Sequence, residues 1–371
     1  MVEIQVRATG GEYPVYVGHR LYEARLAEDL RSMEIGKAAV VSHPSVFDLH
    51  GRRLGKAFGE AWSGTGKLLS FFFPAGEEHK TLQTLEQGYS ALIGGGFTRG
   101  DVILAFGGGV VGDLAGFLAA TYMRGVRFIQ VPTTLMAMVD SSIGGKVGVD
   151  LPRAKNAVGS FYQPYAVYSD VDVLSTLPER EIRSGMVEVA KYGFLYDEGL
   201  LRTMQGWPDG LPVPGQDVSE VIAACATMKA GVVGCDERDL TGVRAMLNYG
   251  HTFGHALESA CGYGRLRHGE AVAVGMMVAA RLSELSGLAE AGLLEHHRRV
   301  LMPLLEETRL PGGLEPEQVL TDMRSDKKRE ENLRFVLLES PQAPRLVEDV
   351  PEDVVKRALE EILQELRGVE K

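Results

Sequence analysis

The run Asp101-Val-Ile-Leu-Ala-Phe106, followed directly by Gly107-Gly-Gly-Val-Val-Gly-Asp113, decides how the first half of this chain is read. Apolar residues behind Asp101 have the length of a buried strand. The glycines after them form G-x-G-x-x-G, ahead of a helix expected over residues 114–120. Glycine in such a turn lets the backbone approach a pyrophosphate, and the free N–H groups of the next helix attract it. Two details depart from the common dinucleotide fingerprint. The turn follows several earlier strands, and no acid stands about twenty residues on, Asp140 being the next. A turn that merely packs helix on sheet explains the glycines equally well.

Around this turn, short apolar runs alternate with helical spacing. Residues 4–6 and 13–17 flank Gly10-Gly11 like a hairpin, and 38–41, 68–73, 102–106 and 128–131 are candidate buried strands. Helical patterns over 21–30 and 82–93 separate them, which implies crossover units and a parallel sheet. After about Leu177 the rhythm changes: 179–192, 218–233, 252–260, 270–285 and 354–366 read as helices, with loops at 206–215 and 311–313. The expected architecture is an α/β N-terminal nucleotide-binding domain with a largely parallel sheet over 1–177. A mostly α-helical domain follows over 178–371. Enzymes of this layout commonly bind ligands in the cleft between domains.

Composition narrows the function. The 371 residues are 45% hydrophobic and 24% charged, with net charge −11, so a nucleic-acid partner is not expected. Cations that meet an anionic ligand must instead be gathered in a pocket. The start, Met1-Val-Glu-Ile-Gln-Val6, alternates like a strand and carries no basic-then-apolar leader. The longest apolar and glycine stretch, 271–280, is about half a membrane span, so no membrane partner is expected. Cys225, Cys235 and Cys261 lack Cys-x-x-Cys spacing, which fits a reducing cytoplasm and small buried side chains.

Polar residues then gather in patterns. Thr133 and Thr134 follow a strand at the carboxyl edge of the sheet, where open α/β folds bind ligands. Asp140-Ser-Ser-Ile-Gly-Gly-Lys146 and Lys155-Asn156 read as a glycine-rich loop whose lysines suit phosphate. Of nine histidines, His251 and His255 share a helix face one turn apart, and His268 opens the next apolar helix. Glu188 and Lys191 share a face upstream. One carboxylate and two imidazoles with an open position make a catalytic zinc-type set, although spacing alone leaves open which histidines serve. Lys229, Arg244 and Lys327-Lys328 add cations, each of which alone would be an ordinary surface charge.

Taken together, these strings resemble the 3-dehydroquinate synthase family of sugar-phosphate cyclases. The matching strings are Ala75-Gly-Glu-Glu-His-Lys80, Gly107 to Asp113, Pro132-Thr-Thr134, Asp140 to Lys146, Lys155-Asn156, Glu188-Val-Ala-Lys191, Asn248-Tyr-Gly-His-Thr-Phe-Gly-His255 and His268-Gly-Glu270. Order and spacing fit from about residue 12 to 340. The resemblance implies an NAD-dependent lyase of the shikimate pathway with one zinc or cobalt ion, working as a homodimer on a small sugar acid phosphate.

Carried over by position, Glu188, His251 and His268 resemble the metal ligands, which leaves His255 to the substrate pocket. The NAD site would use Glu77, Lys80, Gly109, Val110, Val111, Gly112, Asp113, Thr133, Thr134, Lys146, Lys155, Val173, Leu174, Ser175 and Thr176. Asp140, Lys146, Lys191, Asn248 and His255 would be catalytic, with Arg124, Asn156, Lys229, Arg244 and Lys327 binding substrate. Lys146, Asn156, His255 and Lys327 form an expected phosphate cradle, and Arg244 with Lys229 an expected carboxylate site. Arg124 resembles an arginine that often reaches phosphate from the partner subunit. Two departures stand out: Asp239 falls where a glutamate is common, and Ser42-His43 where an acid or amide often meets the adenosine ribose.

The implied substrate is 3-deoxy-D-arabino-heptulosonate 7-phosphate. C5 is oxidised, phosphate leaves C7 after loss of the C6 proton, C5 is reduced again, and an internal aldol closure follows. His255 is a candidate proton relay, and phosphate itself can take the C6 proton. A polyol dehydrogenase of shared architecture would use NAD stoichiometrically, with an aspartate in place of Glu188. Sister cyclases act on sugars without a carboxylate, against which Arg244 and Lys229 argue. A nucleotide-binding protein with a dead site would have lost a ligand.

Overall fold

The computed structural model describes residues 1–33, 35–61, 67–152, 154–262, 264–311, 313–326 and 333–368. Two compact units are present: Met1–Pro178 with Asp217–Arg238, and Glu179–Gln216 with Asp239–Lys371.

In the first unit the strands are β1 (Val2–Ala8), β2 (Gly11–Gly18), β3 (Lys37–Ser42), β4 (Lys67–Phe72), β5 (Val102–Gly107), β6 (Arg127–Pro132), β7 (Lys146–Leu151), β8 (Ala154–Phe161) and β9 (Val167–Asp170). Seven form one sheet in the order β1-β2-β9-β6-β5-β3-β4. Only the β1–β2 hairpin is antiparallel; the other neighbours run parallel. Helices α1 (Ala27–Ser32), α2 (Pro44–Ala61), α3 (Leu82–Gly94) and α4 (Gly109–Thr121) supply crossovers between the parallel strands. An interior strand of such a sheet is covered on both faces, and β5 is accordingly buried at every position. The candidate strand over 68–73 is not buried in this way. As β4 it closes the edge of the sheet, with Leu68 41% and Phe72 38% exposed.

The glycine turn differs from its sequence reading in one respect: the helix starts at Gly109, not at Leu114. Gly109 and Gly112 therefore lie inside α4, where a run of glycines argued for a longer turn. Packing accounts for them. A Cβ on Gly112 would stand 2.9 Å from Gln130 Oε1, and one on Gly116 would stand 2.4 Å from Val147 Cγ1.

The glycine-rich "loop" carrying Lys146 and Lys155-Asn156 is also corrected. Lys146 begins β7, and Lys155 and Asn156 lie on its antiparallel partner β8. Gly148 and Gly159 face each other across the ladder, where a Cβ on Gly159 would stand 2.2 Å from the Val147 carbonyl oxygen. Close strand approach requires these two glycines, whereas Gly144 and Gly145 of the motif, with φ of 98° and 67°, do form the turn ahead of β7.

The second unit contains α5 (Glu179–Leu195) and α6 (Glu198–Gln205). The chain then returns to the first unit through α7 (Ser219–Cys235), which packs on β1 and on the π-helical turn Ala137–Ser141. Dividing the chain into 1–177 and 178–371 assigns α7 to the wrong side. Its spacing announces a helix, but periodicity carries no information about the surface that receives the apolar face. In the second unit α8 (His251–Cys261), α9 (His268–Leu285), α10 (Leu293–Leu301) and α11 (Pro316–Asp326) follow, then the hairpin β10 (Phe335–Leu338) and β11 (Pro344–Val347), then α12 (Glu352–Gly368). The apolar run of 271–280 is the buried core of α9. Among the described residues no helix is long and apolar enough to cross a membrane.

Candidate active site

The first unit presents its polar residues at the carboxyl edge of the sheet. Gly108 precedes α4, and the first intrahelical bond there runs from Gly112 N–H to Gly108 O at 3.0 Å. The N–H groups of Gly109, Val110 and Val111 are thus the open amides of the helix start. Thr134 packs beside them, its Cγ2 at 3.0 Å from where a Gly108 Cβ would be, and its Oγ1 accepts from Ala137 N–H at 3.2 Å. The Thr133 N–H donates to Gly107 O at 2.9 Å, tying β6 to the glycine turn.

Next to this edge, Lys80 is buried and its Nζ donates to Asn156 Oδ1 at 2.6 Å. It also lies 3.0 Å from Glu77 Oε1, 3.2 Å from Asp113 Oδ2 and 3.8 Å from Asp150 Oδ1. Lys155 Nζ is 3.6 Å from Glu77. Burial alone would lower the Lys80 pKa, but the surrounding carboxylates outweigh it and raise it. Burial likewise opposes ionisation of Glu77, and Lys80 with Lys155 overcomes it, holding Glu77 below its ordinary value. Asp113 is pushed up to about 6, chiefly by burial, with Lys80 pulling the other way. Asp150 belongs to this group and was not anticipated from the sequence.

Elsewhere in the unit, buried Lys229 of α7 donates to both Asp140 Oδ1 (2.7 Å) and Asp140 O (2.6 Å). Lys146, Arg124 and Asn156 are exposed, and Arg124 and Asn156 have left-handed backbone, with φ of 66° and 53°. Val173, Leu174, Ser175 and Thr176 lie on the short 3-10 helix Val171–Thr176, with Thr176 Oγ1 at 2.8 Å from His50 Nε2. Ser42 and His43 are committed within the fold: Ser42 Oγ donates to Phe106 O at 2.6 Å, and His43 Nδ1 donates to Phe73 O at 3.0 Å.

The second unit assembles a different group. Helix α8 starts after Gly250, which has φ of 78°, so His251 is its first residue. Helix α9 starts at His268. A Cβ on Gly269 would stand 2.3 Å from Ser184 O on α5, so the start of α9 lies directly on α5. One helical turn along α5 from Ser184 stands Glu188. Glu270 locks this entry, accepting from the Arg267 N–H at 2.8 Å and from Arg180 Nε at 2.6 Å.

Glu188 Oε1 consequently lies 3.7 Å from His251 Nε2 and 3.8 Å from His268 Nε2. Ligand atoms each about 2.1 Å from a tetrahedral ion stand about 3.4 Å apart, so the three donors need only close slightly. Glu188 is 1% exposed, and its Oε1 has no hydrogen-bond partner among the described residues. Lys191 Nζ sits 2.5 Å from Oε2 as a counter-charge. Oε1, which faces two imidazoles instead of a hydrogen-bond donor, is placed to take a metal ion together with them. His251 Nδ1 donates to Tyr249 O at 3.1 Å, which leaves Nε2 as the lone-pair nitrogen facing Glu188. Burial, reinforced by nearby Lys191, His268 and His255, holds the His251 pKa well below its ordinary value, so the ring is neutral and competent to bind metal. The residues present therefore fit a divalent ion.

His255 is exposed, its ring 5.5 Å from that of His251 and 5.7 Å from that of His268. Arg244 is buried and Asn248 exposed, at the two ends of a 3-10 turn. Asp239 has φ of 60° and is partly buried. Lys327 lies outside the described residues. Sequence reasoning missed Arg180, Tyr249 and Glu270. Glu270 carried a readable signal, standing three residues after the helix-capping position.

A parallel α/β unit with an open helix start at its ligand edge, and a helical unit with a buried carboxylate facing two imidazoles, define a metal-dependent enzyme with a nucleotide-type domain. Residues 70–184 match the family model 3-dehydroquinate synthase N-terminal, and residues 185–329 match 3-dehydroquinate synthase C-terminal. The chain belongs to the 3-dehydroquinate synthase family. A relative of that name from Synechocystis sp. is 40% identical over 341 residues, covering 91% of this chain and 93% of its own. Another from Geobacter metallireducens is 50% identical over 265 residues, covering 71% and 73%. Among solved structures, 2-deoxy-scyllo-inosose synthase, complexed with carbaglucose-6-phosphate, NAD+ and Co2+, superposes with a TM-score of 0.86 at 28% identity, covering 97% of this chain and 99% of that one.

Proposed function

We propose that this chain converts 3-deoxy-D-arabino-heptulosonate 7-phosphate to 3-dehydroquinate and phosphate, with one bound NAD and one zinc or cobalt ion. The observation that carries the reading is buried Glu188, whose Oε1 lies 3.7 Å from His251 Nε2 and 3.8 Å from His268 Nε2, in a chain of this family. The NAD+ and Co2+ of 2-deoxy-scyllo-inosose synthase support the same cofactor pair here. When bound, the ion supplies Lewis acidity toward the substrate hydroxyls and the dinucleotide supplies reversible hydride acceptance at C5.

The residues divide the remaining work. Glu188, His251 and His268 hold the ion, and Lys191 neutralises the buried carboxylate. The open amides of Gly109 to Val111 suit the pyrophosphate, with Gly112, Asp113, Thr133, Thr134, Lys146 and the Val173 to Thr176 segment completing the NAD site. Lys80 orders Glu77, Asp113 and Asn156 around one ammonium, and Lys155 adds a second cation. Asp140 and Lys229 act as a pair. Lys146, Asn156 and His255 bind phosphate together with Lys327, Arg124 completes that set, and Arg244 and Asn248 bind the sugar acid. Fixed cations orient the substrate and stabilise the departing phosphate, and His255 relays the proton.

The chain is further proposed to work in the cytoplasm as a homodimer; exposed Met123, Phe161 and Tyr165 of the first unit offer apolar surface for a partner copy. Sedimentation of the purified chain tests the dimer. The activity is tested by supplying the heptulosonate phosphate, a divalent metal and substoichiometric NAD+. Many phosphates released per NAD+, without lasting NADH, are expected. NADH accumulating one-for-one with product would show a dehydrogenase. Turnover of a carboxylate-free sugar phosphate alone would show a sister cyclase.

A further inference from the structure

Beyond its three proposed metal ligands, the second unit holds a buried carboxylate with no role so far. Glu258 lies on α8, seven residues after His251 and three after His255, and is only 6% exposed. Its Oε2 stands 3.5 Å from His268 Nδ1. The other nitrogen of that ring, Nε2, faces Glu188 Oε1 at 3.8 Å. One imidazole is thus aimed at two buried carboxylates, one from each nitrogen.

The two metal-facing histidines share a plan. In each, Nδ1 turns toward an oxygen and Nε2 toward Glu188: His251 uses the Tyr249 carbonyl, and His268 uses Glu258. A ring that donates from Nδ1 keeps its Nε2 lone pair for an ion, and a carboxylate acceptor also makes that lone pair more basic. The 3.5 Å separation exceeds the usual hydrogen-bond length by a few tenths of an ångström, which a slight rotation of either side chain closes.

We propose that Glu258 is a positioning residue of the metal centre, fixing the tautomer and orientation of His268 and raising its affinity for the ion. This rests on the reading that Glu188, His251 and His268 hold the metal. A competing use exists, because donor atoms of His255, Glu258 and His268 also lie within 4.8 Å of one another. An ion there would take Nδ1 of His268 while the first takes Nε2, so one ring would have to serve two cations as a fully deprotonated bridge. A single ion backed by Glu258 needs no such ring.

The test is a zinc titration of the metal-stripped full chain against a chromophoric chelator, comparing wild type with Glu258→Gln, Glu258→Ala and Glu188→Ala. Wild type is expected to bind one ion per chain. Glu258→Ala should weaken binding about 10–100-fold at unchanged stoichiometry, and Glu258→Gln, which keeps an acceptor without the charge, should fall between. Thermal unfolding of the stripped proteins shows whether each variant folds. Wild-type zinc affinity in a folded Glu258→Gln would overturn the proposal, as would a fall from two ions to one. Unchanged affinity in Glu188→Ala would instead overturn the metal reading on which it rests.

Discussion

Gly275 of α9 and Gly250 ahead of α8 meet backbone to backbone: a Cβ on Gly275 would stand 2.0 Å from the Gly250 carbonyl oxygen. A Cβ on Gly250 would in turn meet Met276 N at 2.8 Å, and one on Gly254 would meet Val272 N at 3.2 Å. Gly250 ahead of α8, Gly254 within it and Gly275 on α9 thus let the two helices pack at backbone distance. The ring centroids of His251 and His268 are 5.2 Å apart as a result.

Gly275→Ala is therefore expected to destabilise the fold by about 3 kcal/mol, the upper end for overpacking, because the opposing atom is backbone and cannot rotate away. It should also weaken zinc binding by parting the two helices. Gly231→Ala is the control. It lies within α7 with nothing within 4 Å of a new Cβ, and should stabilise by about 0.5–1 kcal/mol. Urea unfolding of both variants checks the contrast, and equal effects would discard the packing argument.

Asp113 gives a pH dependence whose sign is fixed. Burial moves its pKa from 3.8 up to about 6 in the folded chain. The folded state then keeps a proton that the unfolded state has released, so the contribution to stability is present at low pH and lost as pH rises from about 4 to 6. Asp113→Asn should remove this loss. The check is the difference in unfolding free energy between wild type and variant across pH 4–7, and a difference independent of pH would refute it.

His297 works in the opposite sense. It is fully buried, its Nδ1 donates to Leu293 O at 2.8 Å, and its Nε2 accepts from the Tyr249 hydroxyl at 2.8 Å. Burial lowers its pKa from 6.5 to about 3. Below pH 6.5 the unfolded chain takes up a proton that the folded chain refuses, so stability is lost as pH falls toward 3. Substitution His297→Gln should flatten that acid limb, measured as Tm against pH. Tyr249 also carries the carbonyl that holds His251, so the same variant should loosen zinc.

The parallel sheet was legible because its strands are short apolar runs spaced by helices, and the histidine cluster because His251, His255 and His268 fall close together in the chain, although spacing left open which of them face Glu188. The β7–β8 hairpin was not, since Lys146 and Lys155-Asn156 look like loop residues until the facing strand is known. The placement of α7 was hidden for a related reason: Lys229 finds Asp140 only in space, 89 residues away. Glu258 had a periodic signal, standing on the face of His251 and His255 at i+7 and i+3, but a glutamate on a helix is ordinarily a solvated charge. Asp150 had none, because a β-bulge at Val149–Leu151 beside the strand connection turns it toward Lys80.

His255 separates the substrate role from the metal role most directly. It is exposed and stands near both other rings, and its donor atom also falls within reach of Glu258 and His268. Position in the family pattern gives it to the substrate; proximity alone would allow it to the ion. His255→Ala should cut phosphate release at least about 100-fold, the usual loss for a proton-transfer group, while the chain still carries one zinc. Glu188→Gln should do the reverse in order, losing zinc first and activity with it. Zinc content measured on the purified variants beside phosphate release decides between the two. Were His255→Ala to emerge without metal, His255 would be a ligand, and His268 or His251 would have to leave the set.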